Sequence, residues 1–304
     1  MNIIEKMAAE LKLDQAYISR IAERSSFYYK DYTIPKHDGT PRAISQPSPE
    51  LKTLQYWVLH NILCKLPVSN AAYAYKKGDS IKKHANLHRQ SRFFLHADIC
   101  NFFPSIRSSM LNVILRDNKR LFDELELDLE DSLVDIRKVC FRKDRLCIGA
   151  VSSPAISNIV MYSFDATVLE YCKANGYIYS RYADDIYISS KNYINKDVLT
   201  ILQSELARYG FKLNIRKTRF CSSKTRRKVT GLVITNDDQI SVGTERRDQI
   251  KKMVYDKLIH GKGDSHQILG YLSFLKDVEP KTYNNIIIKY SQYCSGDIIQ
   301  ELSK

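Results

Sequence analysis

The stretch SRYADDIYIS, Ser180 to Ser189, sets two aspartates side by side inside a run of tyrosine and isoleucine. Ile178, Tyr179 and Tyr182 precede the pair and Ile186, Tyr187 and Ile188 follow it, so both flanks read as β-strand. The pattern predicts a hairpin with Asp184 and Asp185 at its turn. Adjacent carboxylates repel, and removing them from water raises the cost. Either the turn faces solvent or a cation sits between the acids. The same chain holds a second pair, Asp237-Asp238, in ITNDDQIS. Asparagine and glutamine surround it, as in a polar turn whose side chains bond their own backbone and face water.

Composition narrows the choice. The chain has 304 residues, 44% hydrophobic and 11% aromatic, enough for one large or two modest globular domains and too apolar for disorder. No apolar run approaches the ~20 residues of a membrane span. The opening MNIIEKMAAELKLDQ carries early acids and no signal-peptide core, so no secretion leader or membrane partner is expected. Seven cysteines without a C-x-x-C pair argue against a disulfide scaffold and a zinc knuckle, and a reducing cytoplasm is the expected home. Net charge is +13, unevenly spread. Residues 117–135 hold eight acids against two bases, whereas 212–262 hold fourteen Lys/Arg against five acids. Such asymmetry suits phosphate backbones, with a solvated basic surface as the plainer reading. Tyrosines beside lysines, as in AYAYKKGDSIKKHANLHR, favour nucleic acid, because rings stack on bases while cations hold phosphates.

Along the chain, residues 1–26 show helical periodicity, and YTIPKHDGTPRAISQP reads as a hairpin turning at Asp38-Gly39. Ser48-Pro49 opens a helix with Leu51, Leu54, Val58 and Ile62 on its core face. RFFLHADI is a short apolar strand ending in Asp98. FDELELDLEDSLVDIRKV reads as one acidic helix, a candidate docking face, and SSPAISNIVMYSFDATVLEYCKANG as one long helix opened by Ser153-Pro154. A helix from about Asn195 to Tyr209 follows the acidic hairpin. RRKVTGLVIT reads as a strand, and basic helices fill the last sixty residues.

Three carboxylates thus sit in apolar settings, Asp98 at a strand end and the Asp184–Asp185 pair in a later hairpin. One sheet can bring them together. With substrate phosphates they form an oxygen-rich site for Mg²⁺, which takes few carboxylates and keeps waters. Two such ions about 3.5–4 Å apart activate a hydroxyl and stabilise leaving pyrophosphate. The residues alone leave nuclease and polymerase equally open.

The ordered motifs resemble those of the reverse transcriptases. YADD, Tyr182 to Asp185, and ADICNFFPSI around Asp98 match that family's catalytic hairpin and earlier strand. GAVSSP, Gly149 to Pro154, matches the block between them, and GFKLNIRKT, Gly210 to Thr218, the block after. Within the family the chain looks most like bacterial retron enzymes, with Val229-Thr230-Gly231 at the expected place. In their Asn-Ala-x-x-His motif, His84 replaces the asparagine while Ala85 and His88 remain. Ile148 stands where the family often has glutamine.

The resemblance implies an α+β right-hand polymerase whose palm is an antiparallel sheet. Residues 1–30 would be an N-terminal helical segment, 31–240 fingers and palm, and 241–304 a basic helical thumb. Asp98, Asp184 and Asp185 would be catalytic and, with the Ile99 carbonyl, hold two Mg²⁺ ions. Arg42, Phe102, Gly149 and Lys217 would bind the dNTP, Phe102 beneath the sugar as a gate against ribonucleotides. Lys82, Lys83, His84, His88, Arg226, Arg227, Lys228 and Thr230 would bind RNA. The implied substrate is a cognate non-coding RNA serving as primer and template for RNA-linked DNA, with a companion effector protein in antiphage defence. The competing readings are an RNA-binding scaffold or antitoxin subunit, and an intron-type or abortive-infection reverse transcriptase. His84 and His88, four residues apart, have the spacing for zinc but no cysteine or acid beside them to complete a site.

Overall fold

The computed structural model describes residues 1–36, 39–294 and 296–304. The N-terminal periodicity forms two short helices, α1 (Ile3–Leu11) and α2 (Gln15–Glu23). Asn2 and Glu5 close a capping box on α1, and Asp14 accepts the Tyr17 amide to start α2. The expected hairpin is β1 (Tyr29–Pro35) paired antiparallel with β2 (Pro41–Pro47). Of its expected turn, Asp38 lies outside the described residues. Ser48 caps α3 (Pro49–Asn61), whose Leu51, Leu54 and Val58 are buried as the spacing predicts.

Then come α4 (Ile81–Leu87), β3 (Phe93–Asp98), α5 (Phe102–Ser105) and α6 (Ser108–Asp117). The acidic stretch is two helices, not one: α7 (Lys119–Glu124) and α8 (Leu129–Cys140). Glu126 takes a left-handed φ of 56° between them, and Asp128 accepts the Asp131 amide to restart the helix. Leu133, Ile136 and Val139 of α8 are buried, so that helix spends one face on the core. The long helix expected from Ser153 is also two, α9 (Ser153–Val160) and α10 (Tyr162–Ala174), parted at Met161.

The acidic hairpin is β4 (Ile178–Tyr182) and β5 (Asp185–Ser190), followed by α11 (Asp197–Arg208) and β6 (Arg219–Ser222). The expected RRKVTGLVIT strand folds back on itself as β7 (Arg227–Val229) and β8 (Leu232–Ile234), with β9 (Ile240–Ser241) beside β8. Thr230 and Gly231 have φ of 44° and 88° and form the two-residue loop. Positive φ at both central positions is what a type I′ hairpin turn needs, and the apolar residues on either side hid it. Four helices end the chain: α12 (Thr244–His260), α13 (Ser265–Val278), α14 (Pro280–Ser291) and α15 (Ile298–Ser303).

The strands form a two-stranded sheet β1-β2, a four-stranded sheet ordered β4-β5-β3-β6, and a three-stranded sheet β7-β8-β9. The chain divides into two compact units, one of residues 1–77, 96–186 and 195–218, the other of 78–95, 187–194 and 219–304. The first has a core of Leu111, Leu115, Phe122, Ile159, Phe164 and Phe211. The second is built on Val229, Leu232, Val254, Leu272, Leu275 and Ile286. All seven cysteines are free, and among the described residues no helix is long and apolar enough to cross a membrane.

Candidate active site

The first unit holds the acidic turn. Ala183, buried between β4 and β5, has a left-handed φ of 57° without being glycine, a conformation that costs about 1–2 kcal/mol unless its surroundings hold it. It delivers Asp184 and Asp185 beside the end of β3, where the Ile99 amide donates to the Asp184 carbonyl at 3.0 Å. Asp98 is only 6% exposed. Asn214 Nδ2 donates to its Oδ1 at 3.1 Å and Lys217 Nζ to its Oδ2 at 3.0 Å, while the Asn214 amide holds the Asp98 carbonyl at 2.7 Å. His96 Nε2 lies 2.7 Å from Asp185 Oδ1.

Electrostatics show that the three acids share one site. Burial pushes the Asp184 carboxyl up to about 6, and the charges of Asp185 and then Asp98 push the same way against Lys217. The Lys217 ammonium is raised, first by its bond to Asp98 and further by the charges of Asp98, Asp184 and Asp185. One exposed lysine therefore feels all three carboxylates. His96 and Asn214 had no role in the sequence reading. A usable signal was that His96 and Asp98 are two apart on a strand and so share a face.

The donors suit a hard divalent cation, being carboxylate oxygens. Among the described residues no group of three His, Cys, Asp or Glu side chains is arranged to hold an ion alone. Ile99 itself is buried and bridges antiparallel to Leu213.

The other nucleotide candidates lie in the same unit. Arg42 is exposed on β2 opposite Ile34. Gly149 has φ of 115°, and a Cβ there would meet the Ser45 carbonyl oxygen at 2.8 Å. The Ser45 amide donates to the Ile148 carbonyl at 2.8 Å, so Gly149 lets this loop lie against β2, and Ile148 contributes backbone there. Phe102 is buried, its ring 5.6 Å from Phe103 and 5.8 Å from Phe211. Tyr75, read in the sequence only as part of the tyrosine–lysine stretch, is 54% exposed with φ of 63°. Its hydroxyl is raised first by desolvation, then by Asp184 and Tyr182, with Arg42 opposing.

The second unit carries the residues expected to bind RNA, and it divides them. Arg226 and Lys228 are exposed on either side of buried Arg227. Lys83 is exposed and pairs with Asp79, while half-buried Lys82 lies 3.6 Å from Asp277 Oδ1. His84, His88 and Arg227 are buried and bonded within the protein. Arg227 donates to the Ser91 carbonyl at 2.8 Å, to Asp238 at 3.2 Å and to the Thr235 carbonyl. His88 Nδ1 is 2.7 Å from Ser189 Oγ, and burial, then His84, pushes its imidazole down to about 3. His84 Nδ1 is 3.3 Å from Thr230 Oγ1, and the Thr230 amide donates to the Tyr187 hydroxyl at 3.1 Å. His84 and the Tyr187 hydroxyl thus brace the Thr230 turn, and the His88 ring packs against that of His84 at 5.5 Å.

A family model described as reverse transcriptase (RNA-dependent DNA polymerase) matches residues 34–234. The chain is similar to the retron Ec73 reverse transcriptase of Escherichia coli, 32% identical over 305 residues, covering 96% of each chain. It is 33% identical to the Escherichia coli retron Ec83 reverse transcriptase over 291 residues, covering 90% of each. Apo telomerase from Candida tropicalis shares the fold with a TM-score of 0.56 at 12% identity, over 90% of this chain and 61% of that longer one. The chain belongs to the reverse transcriptase family, among the retron reverse transcriptases, and is an RNA-directed DNA polymerase with the right-hand polymerase fold. That family uses divalent metal ions and deoxynucleoside triphosphates.

Proposed function

We propose that this polymerase copies a structured non-coding RNA that is both its primer and its template, joining the first nucleotide to a 2′-hydroxyl of that RNA. Similarity to the retron reverse transcriptases supports the choice of template, and the observation that carries the chemistry is the convergence of Asp98, Asp184 and Asp185, where each added negative charge makes Asp184 harder to ionise. Repulsion of that kind is relieved by divalent cations. Asp98, Asp184 and Asp185, with the Ile99 carbonyl, would hold two Mg²⁺ ions. When bound, these supply Lewis-acid stabilisation of the attacking and leaving oxygens.

The chain's own groups do the rest. Arg42 reaches the triphosphate from β2, and Lys217, released from Asp98, offers its Nζ proton to the departing pyrophosphate. Phe102 closes the space beneath the sugar, where a 2′-hydroxyl on the incoming nucleotide would clash. Gly149 keeps the neighbouring loop tight against the hairpin that carries Arg42. Lys82, Lys83, Arg226 and Lys228, with the Thr230 turn, hold RNA and the RNA–DNA product, while His84, His88 and Arg227 keep that surface in shape. We assign residues 1–30 as an N-terminal helical segment, 31–240 as fingers and palm, and 241–304 as thumb. The setting would be the bacterial cytoplasm, with a companion effector protein in antiphage defence.

The test supplies purified protein with Mg²⁺, dNTPs and a transcript of the non-coding RNA flanking its gene. Labelled nucleotide joined covalently to that RNA, with unrelated transcripts inert, is the expected result. Incorporation only onto an added DNA primer would overturn the self-primed reading.

A further inference from the structure

Among the described residues Arg181 is the largest fully buried side chain, and its partner Asp165 is buried as completely. Nε and Nη2 of Arg181 grip the two Asp165 oxygens at 2.8 and 2.7 Å, and the Tyr179 hydroxyl donates to Asp165 Oδ1 at 2.6 Å. A buried ion pair rarely adds stability over apolar residues of the same size, so its presence asks what else it does. The remaining donor answers: Arg181 Nη1 reaches the Ala183 carbonyl at 3.0 Å and Asn158 Oδ1 at 3.3 Å. Ala183 is the left-handed residue before Asp184, and its carbonyl belongs to the peptide plane that carries the Asp184 amide. Fixing that oxygen fixes the plane from which the Asp184 side chain springs.

The same network holds a second plane. Asn158 Nδ2 donates to the Ala74 carbonyl at 2.8 Å, in the peptide that leads into left-handed Tyr75. Backbone bonds reinforce the link, from the Arg181 amide to the Ala71 carbonyl at 2.8 Å and from the Tyr73 amide to the Arg181 carbonyl at 2.9 Å. Tyr75 then presents a half-exposed ring edge-on to Phe103, at 6.4 Å, next to the proposed gate Phe102.

We infer that Asp165, Arg181 and Asn158 form a positioning network that sets two walls of the nucleotide site, the Asp184 carboxylate through Ala183 and the Tyr75 ring through Ala74. The inference rests on the proposed reading of Asp184 and extends it to Tyr75 as a nucleotide-bordering residue. Only arginine serves at 181, because its planar fork offers donors on both sides at once, whereas lysine offers a single point.

The two arms predict different kinetics. Replacing the ion pair by the charge-free Asp165→Leu, Arg181→Met pair should leave a cooperative melt and RNA affinity intact yet lower kcat about 100-fold, the scale of a 1 Å misplacement. Asn158→Ala keeps the ion pair, so it should raise KM for dNTP about tenfold and hold kcat within about threefold. A folded charge-free pair with kcat within about threefold of wild type, or Asn158→Ala with unchanged KM, would overturn the inference. If the charge-free pair does not fold, Arg181→Lys replaces it: the inference requires a lowered kcat, and parity with wild type sinks it. Asp184→Asn is measured alongside. An active Asp184→Asn enzyme removes the reading of Asp184 and this inference together. An inactive one beside fully active network variants removes only the inference.

Discussion

Two aspartate pairs sit in hairpin loops of this chain, and both loops contain a left-handed non-glycine residue, Ala183 with φ of 57° and Asp238 with φ of 56°. There the likeness ends. Asp238 has a side chain 47% exposed and answers a cation of its own protein, Arg227. Asp184 has desolvation, Asp185 and Asp98 all against its charge, with Lys217 in partial relief. The first turn is electrostatically closed, and the second is left needing positive charge. Under the proposed reading, metal and substrate supply that charge, and the repulsion retained at Asp184 marks where they bind.

The sharpest way to break this contrast is to neutralise each pair in turn. Asp184→Asn or Asp185→Asn should lower RNA-templated DNA synthesis by at least ~10³-fold, while Asp237→Asn and Asp238→Asn stay within about twofold. Primer-extension rates decide it, and equal losses at the two turns would erase the distinction. Next in size is Phe102→Ala, which should cost about 10–100-fold in dNTP-over-rNTP preference in single-nucleotide insertion assays. Unchanged preference would return Phe102 to the status of a core ring.

Within the second unit the contrast is of another kind. Arg226→Gln with Lys228→Gln should weaken RNA binding and flatten its log-log salt dependence by about 1.4–1.8, as expected for two lost phosphate contacts. Arg227→Gln should leave that slope alone and destabilise the protein by about 1–3 kcal/mol, because the Ser91 and Thr235 carbonyls and Asp238 lose their donor. Filter-binding across a salt series and a melt of each variant separate the two effects.

The smallest effect concerns pH. Asp184 is raised from 3.8 to about 6 in the folded chain, so its ionised form strains the metal-free protein. Its contribution to stability is present below pH ~4 and is lost as pH rises through about 6. Metal-free Asp184→Asn should therefore melt ~2–4 °C higher than wild type at pH 8, with the gap closing near pH 4. A gap that is constant with pH would mean that Asp184 is not strained by its charge.

Much of the candidate site was legible because its residues are ones that local structure would not choose. Aspartates between isoleucines, and a strand ending in Asp98, violate strand preference and so stand out. What supports them was not legible. Asp165 and Arg181 lie in a helix and a strand whose pairing only the tertiary fold decides, and each reads singly as an ordinary surface charge. The burial of Arg227 was hidden for the same reason. Three consecutive cations look equivalent in sequence, yet strand alternation turns the middle one inward between exposed Arg226 and Lys228. The fold was read less well where one run of apolar or helical character hid a break. Thr230-Gly231 divides an apparent strand and Met161 an apparent helix. In the hairpin a glycine was the available clue, whereas at Met161 no proline or glycine marks the break.

The most direct test recovers the nucleic acid that travels with the protein from its native host, with its flanking DNA present, and compares wild type with the Asp184→Asn, Asp185→Asn double variant. A discrete short DNA that shifts on denaturing gels after RNase, and is absent from the variant, is the predicted result. RNA alone in both samples would contradict it, leaving an RNA-binding protein whose paired aspartates do no chemistry.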